Sequence, residues 1–336
     1  MPAPVQLATV TGARHARILG MGSYRPSRVV TNSEIVDQID SSDEWIRQRS
    51  GIIERRFSEE HETVQMMSVE SSRRALEHAD IDPAQLDCVI VGTVSHLMQT
   101  PAVATLIANE LGSTPAAAFD ISAACAGFCY AVGLSADMVR SGSAKYVLAI
   151  GVERLSEITD PTDRGTAFIF ADGAGAAVIG PSDVEGIGPV VWGADGSKYD
   201  YIRQKRSWDD VLKMEKASMP YLSMEGNPVF RWASFEMAKV AAEALDRAGL
   251  TVDDLDVFVP HQANMRITDA MARALKLPDR VVIARDIAYQ GNTSAASVPL
   301  AADALLRSQQ AKTGDIALFI AFGAGLAYAA QVVVLP

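Results

Sequence analysis

The sequence predicts an α/β protein of two related halves, packed as five alternating layers of helix and sheet. Helical stretches alternate with short apolar runs along the 336 residues. The second half repeats the first: "ALEHADIDPAQLDCVIV" from Ala75 returns as "ALDRAGLTVDDLDVFVP" from Ala244, with Leu76 and Leu245 lying 169 positions apart. Each half closes on a glycine-rich turn and hairpin-like strands.

Along the chain, residues 1–15 read as an N-terminal extension. "MPAPVQLATVTGARHARILG" has no apolar run of signal-peptide length, and its basic residues follow the apolar ones. Residues 16–194 form the first half, with mainly parallel strands expected. "KYVLAIG" from Lys145 has its counterpart in "DIALFIA" from Asp315, and "SAAC" and "SAAS" each precede a helix of small residues. The polar stretch at 195–227 lacks clean periodicity and reads as an excursion between the halves, laid over a site. Residues 228–336 form the second half. Its last 21 residues, Ile316 to Pro336, carry no charge, but Gly323 and Gly325 interrupt them and Val332 to Val334 favour strand, so a buried hairpin is expected rather than a membrane anchor.

Composition narrows the function classes. At 49% hydrophobic the chain can bury a large core. Three cysteines, Cys88, Cys125 and Cys129, match neither a disulfide framework nor zinc spacing, so no metal is expected and a reducing cytoplasm is the natural setting. A net charge of −11 argues against nucleic acid and anionic membranes. An acidic partner would need a local basic patch.

Three residues stand out. Cys88 and Cys129 read as small hydrophobes. Cys125 follows a strand, and with Ser122 as helix cap it would fall in a first turn whose free amides favour a thiolate; packing and nucleophile both remain open for it. Of five histidines, His261 ends the strand "LDVFVPHQ", where ligands of α/β sheets gather, and it reads as either structural or reactive. Of the other four, His15 and His61 lie in polar surroundings and His78 on a charged helix, while His96 follows a strand where it would line the site without reacting. Asn292 in "YQGNTSAASVPL" is a turn residue or a site amide. "FGAG", Phe322 to Gly325, makes a tight turn or presents amides to an oxyanion.

Together with "SSDEWIRQRSGIIERR", "FADGAGAAV", "VPHQANMRI", "GNTSAAS" and "FGAG", these residues make the chain resemble β-ketoacyl-acyl-carrier-protein synthase III from about Arg17 to Pro336. The resemblance implies the thiolase-like fold, two duplicated α/β halves in αβαβα layers, and a homodimer. A thiolase would need a second cysteine near the C-terminus and an elongating ketosynthase a second histidine, and neither occurs after Cys129 and His261 respectively. Chalcone synthases share Cys-His-Asn but not "DEWIRQRSGI" and "HQANMRI"; a hydroxymethylglutaryl-CoA synthase accounts for the motif set less well. Other readings are a priming ketosynthase of a polyketide pathway, a cysteine acyl-CoA hydrolase, and a non-catalytic carrier-protein binding subunit.

The resemblance implies acyl transfer from acyl-CoA to Cys125, then decarboxylative Claisen condensation with malonyl-acyl carrier protein, initiating fatty acid biosynthesis without a cofactor. Cys125, His261 and Asn292 would be catalytic, with oxyanion amides from Cys125, Gly323, Ala324 and Gly325. CoA would meet Trp45, Arg49, Arg164, Gly226, Asn227, Phe230, Ala263 and Asn264. Carrier protein would dock on Arg231, Gln262, Arg266, Arg273 and Lys276, the last three basic residues sharing one helical face, so that Arg266→Glu should affect carrier protein selectively. Thr100, Leu155 and Phe170 would shape the acyl pocket. Thr100, where acetyl-selective relatives carry a bulky phenylalanine, would admit branched or medium-length chains. No nucleic acid partner or membrane insertion is expected.

Overall fold

The computed structural model describes residues 7, 8 and 10–336; the proposed extension at 1–15 lies partly outside them, and the first strand already begins at His15. Two five-stranded sheets follow one plan. The first runs Ala117–Ile121, Cys88–Gly92, Val147–Arg154, Asp172–Ser182, His15–Tyr24, and the second Val282–Ile283, Val257–Pro260, Ile316–Gly323, Ala327–Val334, Val191–Ala194. In each, the first two pairings are parallel and the last two antiparallel. The sheets are therefore mixed, where mainly parallel ones were expected: each half ends in a hairpin-like return, which pairs antiparallel. Val191–Ala194 joins the second sheet, so the chain crosses between sheets before residue 191. At the other boundary, helix Gly226–Arg247 begins inside the excursion.

Helices Gly127–Ser141 and Ser297–Arg307 lie between the sheets and touch both. Val64–Ala79 and Val103–Leu111 cover the outer face of the first sheet, and Gly226–Arg247 with Met265–Leu275 that of the second. This makes five layers and the thiolase-like α/β fold. Strands such as "CVIVG" at Cys88–Gly92 are buried at every position because both faces are covered. The charge-free C-terminus is the expected hairpin, Ile316 opposite Val334 and Gly323 opposite Ala327. Among the described residues no helix is long and apolar enough to cross a membrane.

The excursion folds into a short hairpin, Ile202–Gln204 with Leu222–Met224, and a helical turn at Trp208–Leu212. It packs on a satellite core that also holds Ile46, Ile52, Leu155 and Phe168. Arg55 is fully buried there. Its guanidinium donates to Val30 O, Asn32 Oδ1 and Phe168 O at 3.2, 2.5 and 3.1 Å, without a carboxylate in direct contact. Burial lowers its pKa to about 10. Arg55→Met would leave those acceptors unpaired, and a loss of ~2–4 kcal/mol is expected in urea unfolding; unchanged stability would show that the bonds contribute nothing net.

Candidate active site

Strand Ala117–Ile121 leads into a 3-10 turn, Ala124–Ala126, and then the central helix from Gly127. Ser122 does not cap this helix. Ala126 takes the cap position without a side-chain bond, and Cys125 lies in the preceding turn. The reversal is made by Ala124 in the left-handed region, at φ 46°. The second half repeats the device at Ser294–Ala296, with Ser294 at φ 47°, and Asn292 enters that turn. The two turns pack together at the centre of the molecule.

Cys125 is half-buried. Burial pushes its thiol up to about 12, against the pull of hydrogen bonding from Ser294 and its own amide, and the nearby Glu153 raises it further. Burial thus opposes the thiolate that the turn's amides favour. Cys88 and Cys129 are buried, and burial raises both thiols, that of Cys88 to about 11.

His261 follows strand Val257–Pro260 and is 2% exposed; its amide donates to Ile320 O at 2.7 Å. Burial lowers its pKa to about 3, so the ring is neutral. Nδ1 lies 2.6 Å from Ser297 Oγ, which also accepts the Gln262 amide at 3.3 Å. Among the described residues the Ser297 hydroxyl has no other acceptor, so it donates to Nδ1 and leaves the proton on Nε2, toward the cavity. Asn292 Oδ1 accepts the Ser294 amide at 2.9 Å, which frees its Nδ2 to donate. Cys125, His261 and Asn292 line one cavity of about 350 Å3.

Strand Ile316–Gly323 brings Gly323 against the Cys125 turn: a Cβ there would stand 2.7 Å from the Cys125 amide nitrogen and 2.9 Å from Sγ. Gly325, at φ 126°, makes the turn itself, and Ala324 faces a second cavity. The residues expected along a CoA channel, Trp45, Arg49, Arg164, Gly226, Asn227, Phe230, Ala263 and Asn264, all line the first cavity. Ser42 caps helix Asp43–Ser50 and Gly51 ends it in the left-handed region at φ 80°, so Trp45 and Arg49 fall one turn apart. Arg49 and Arg164 lie 5.6 and 5.0 Å from the indole centroid. Asn264 caps the next helix and donates to Arg49 O at 2.9 Å, which ties the two walls together.

A second cavity of about 460 Å3 opens on the other side of Cys125 and includes Leu155 and Phe170. Thr100 is exposed and does not line it within this chain; Leu97, Met98, Trp208 and Leu222 do. Of the expected docking residues, Arg231, Arg266 and Arg273 border one groove. Gln262 is buried and takes no part: Nε2 donates to Pro260 O and Ala284 O, and Oε1 accepts the Ile287 amide. Lys276 lies just past helix Met265–Leu275 with left-handed backbone, so it does not continue the face of Arg266 and Arg273. Arg266 stacks over Phe230 at 4.7 Å and also lines the first cavity.

Sequence reasoning passed over Glu153, Ser294 and Ser297. The visible signal was a carboxylate inside an apolar strand, "LAIGVER", which has to be buried. His78 accepts the Met21 amide at 3.1 Å and His15 faces Glu185, so neither joins the site, whereas His96 lines the second cavity. No cluster able to hold a metal ion occurs among the described residues.

Comparison with known proteins gives a consistent result. The family model for 3-oxoacyl-[acyl-carrier-protein] synthase III matches residues 119–196 and the model for its C-terminal region matches 245–335. The chain is 58% identical over 335 residues to β-ketoacyl-[acyl-carrier-protein] synthase III 1 of Streptomyces coelicolor, covering 97% of this chain and 98% of that one. It is 51% identical to the mycobacterial β-ketoacyl-[acyl-carrier-protein] synthase III of Mycobacterium avium, covering 98% and 99%. Among solved structures, the priming β-ketosynthase of the R1128 polyketide pathway superposes with a TM-score of 0.96 at 50% identity, covering 98% of both chains. The Aquifex aeolicus 3-oxoacyl-[acyl-carrier-protein] synthase III gives 0.88 at 36%, covering 95% and 99%.

Proposed function

The chain belongs to the 3-oxoacyl-[acyl-carrier-protein] synthase III family, and from that premise we propose how its residues divide the family's reaction. The activity is that of a condensing acyltransferase of fatty acid biosynthesis: an acyl group passes from acyl-CoA to the enzyme, then to malonyl-acyl carrier protein with loss of carbon dioxide, giving 3-oxoacyl-acyl carrier protein and CoA. In the proposed division, Cys125 is the nucleophile and its own amide, with the Gly323 turn, holds the tetrahedral oxyanion. Neutral His261, donating from Nε2, and the Asn292 amide hold the thioester oxygen as decarboxylation makes an enolate, which attacks acyl-Cys125. The observation that carries this reading is the convergence of Cys125, His261 and Asn292 on one cavity whose outer wall carries Trp45, Arg49 and Arg164. Intact-mass measurement after mixing with acetyl, branched and longer acyl-CoAs tests it. The acyl mass should appear on Cys125 and leave when malonyl-carrier protein is added; an acyl-enzyme that only hydrolyses would sink it in favour of a hydrolase.

CoA would enter along the Trp45 wall, its adenine against indole and guanidinium planes and its phosphates near the arginines. The acyl chain would lie in the second cavity, where Leu155 and Phe170 supply apolar wall. The polyketide-priming reading draws on the 0.96 superposition; it uses the same chemistry and differs in which pathway takes the product.

Carrier protein would dock on Arg231, Arg266 and Arg273. Because Arg273 borders that groove and not the channel, Arg273→Glu should raise the apparent KM for malonyl-carrier protein about tenfold and leave that for acyl-CoA within about twofold. Arg266→Glu should raise both, since Arg266 borders both surfaces. Equal effects of Arg273→Glu on the two substrates would reject selective docking. A homodimer is supported by the free edge strand Ala117–Ile121 and by exposed Leu97, Met98, Leu106 and Phe119 around it, a surface suited to a second copy; sedimentation velocity checks it.

A further inference from the structure

The two halves support each other crosswise at the centre of the molecule. Strand Ile316–Gly323 of the second half packs against the Cys125 turn of the first, and strand Val147–Arg154 of the first packs against the Ser294 turn of the second. Aligning "KYVLAIGVE" from Lys145 with "DIALFIAFG" from Asp315 sets Glu153 at the position of Gly323. Where the second half presents a bare glycine to its turn, the first therefore presents a carboxylate, and it is fully buried. One oxygen, Oε1, accepts Ser294 Oγ at 3.0 Å; the other, Oε2, accepts Ser95 Oγ at 2.6 Å, the Val94 amide at 3.1 Å and Thr93 Oγ1 at 3.3 Å. Ser294 is the left-handed residue of its turn, at φ 47°, and its amide is the donor that fixes Asn292 Oδ1 at 2.9 Å. Ala124, the left-handed residue of the Cys125 turn, has no hydroxyl to be held.

We propose that Glu153 is a positioning residue for condensation: through Ser294 it holds the Asn292 side chain in its donating orientation. The inference rests on the proposed assignment of Asn292 to the enolate. The left-handed region is sterically unfavourable for a serine, and a hydrogen bond to a buried carboxylate is among the strong ones, so the Glu153 contact offsets that cost. Without it Ser294 is free to relax toward the right-handed region. Its amide then swings away, and Asn292 Oδ1 loses the partner that aims Nδ2 into the cavity. The asymmetry between the halves follows the chemistry: the Cys125 turn needs open space beside it for an oxyanion, whereas the Asn292 turn needs a fixed side chain.

Every one of these bonds runs toward the carboxylate, so its part is to accept. Oε2 fastens it to residues 93–95, a segment that continues along the wall of the second cavity at His96 to Gln99. Ser95 Oγ also accepts the Arg154 amide at 2.7 Å, which closes the ring onto the strand that carries Glu153. The grip is thus anchored at its far end, and the Ser294 arm is the one that reaches the site. The Asn292 main chain is held separately: its amide donates to Ile169 O at 2.9 Å and its carbonyl accepts the Ala171 amide at 2.9 Å. Glu153 therefore governs the direction of the Asn292 side chain and not the course of the backbone there.

The test is single-turnover release of carbon dioxide from malonyl-carrier protein, measured on enzyme already acylated by acetyl-CoA and scaled to acyl-enzyme by intact mass. Glu153→Gln sets an amide NH2 against hydroxyl and amide donors; release should fall about tenfold to a hundredfold, a part of the loss of the Asn292 donor itself, while acylation stays within about threefold of wild type. Ser294→Ala cuts the link but leaves the carboxylate its bonds to residues 93–95, and it should lower release by a similar factor, which separates the link from damage to the core. In an Asn292→Ala background, Glu153→Gln should change release by less than about twofold, because groups that act as one unit do not add. Wild-type release from either single variant, or losses that multiply in the double variant, would overturn the proposal. If Asn292→Ala alone releases carbon dioxide as wild type does, the assignment of Asn292 fails and the proposal falls with it.

Discussion

Asn292→Ala should leave acylation of Cys125 within about twofold of wild type while condensation falls by a factor of about a hundred to a thousand, the loss typical of one oxyanion donor. The reason lies in how the amide is held. Its Oδ1 accepts the Ser294 amide at 2.9 Å, so Nδ2 has one orientation, into the cavity shared with His261. In the proposed division acylation places its oxyanion at the Cys125 amide and does not need that donor; the enolate does. Single-turnover acylation by intact mass and carbon dioxide release from malonyl-carrier protein separate the steps, and a melting curve guards against loss of the turn, since the one side-chain hydrogen bond removed contributes about 1 kcal/mol. Equal loss of both half-reactions would contradict the division.

Gly323→Ala should abolish most of the first step. At φ −167° the backbone is extended and accepts any residue, so the cost of the substitution is steric and not one of backbone conformation. The methyl would nevertheless sit 2.9 Å from Sγ and 2.7 Å from the Cys125 amide nitrogen, closer than non-bonded atoms approach, and across the space an oxyanion needs. Acylation should fall at least about a hundredfold, while CoA affinity, proposed to be set at the Trp45 wall, should stay near wild type in calorimetric titration. Wild-type acylation in this variant would mean that the turn can move away from the nucleophile.

Much of this was legible in the chain because periodicity and repetition survive in sequence. The alternation of helix with apolar strand, the return of "DCVIV" as "DVFVP", and the charge-free C-terminal hairpin depend on burial alone, and burial leaves a pattern. The mixed pairing of the sheets was not legible, since a strand covered on both faces reads the same in either direction. Ser122 was assigned as a cap on residue type, but the chain reverses through left-handed Ala124, a conformation that alanine does not advertise. Gln262, grouped with the docking arginines by its motif, is consumed by backbone groups of Pro260 on its own strand and of Ile287 beyond it. Glu153 and Ser294 meet only because the two halves bring their central turns together, a contact between residues far apart in the chain that no local pattern encodes.

Cys125 lies between two cavities, with the proposed acyl chain on one side and the approach for both thioesters on the other. Stowing the acyl group sideways clears the approach, so a second long-armed donor can arrive while the first payload waits. Both donors must nevertheless use the same passage in turn. On that arrangement an excess of acyl-CoA would do more than saturate the first step: it would re-enter the loaded enzyme and hold carrier protein out. Throughput would then follow the ratio of the two thioester pools, and a surge of starter units alone would slow the output it is expected to raise.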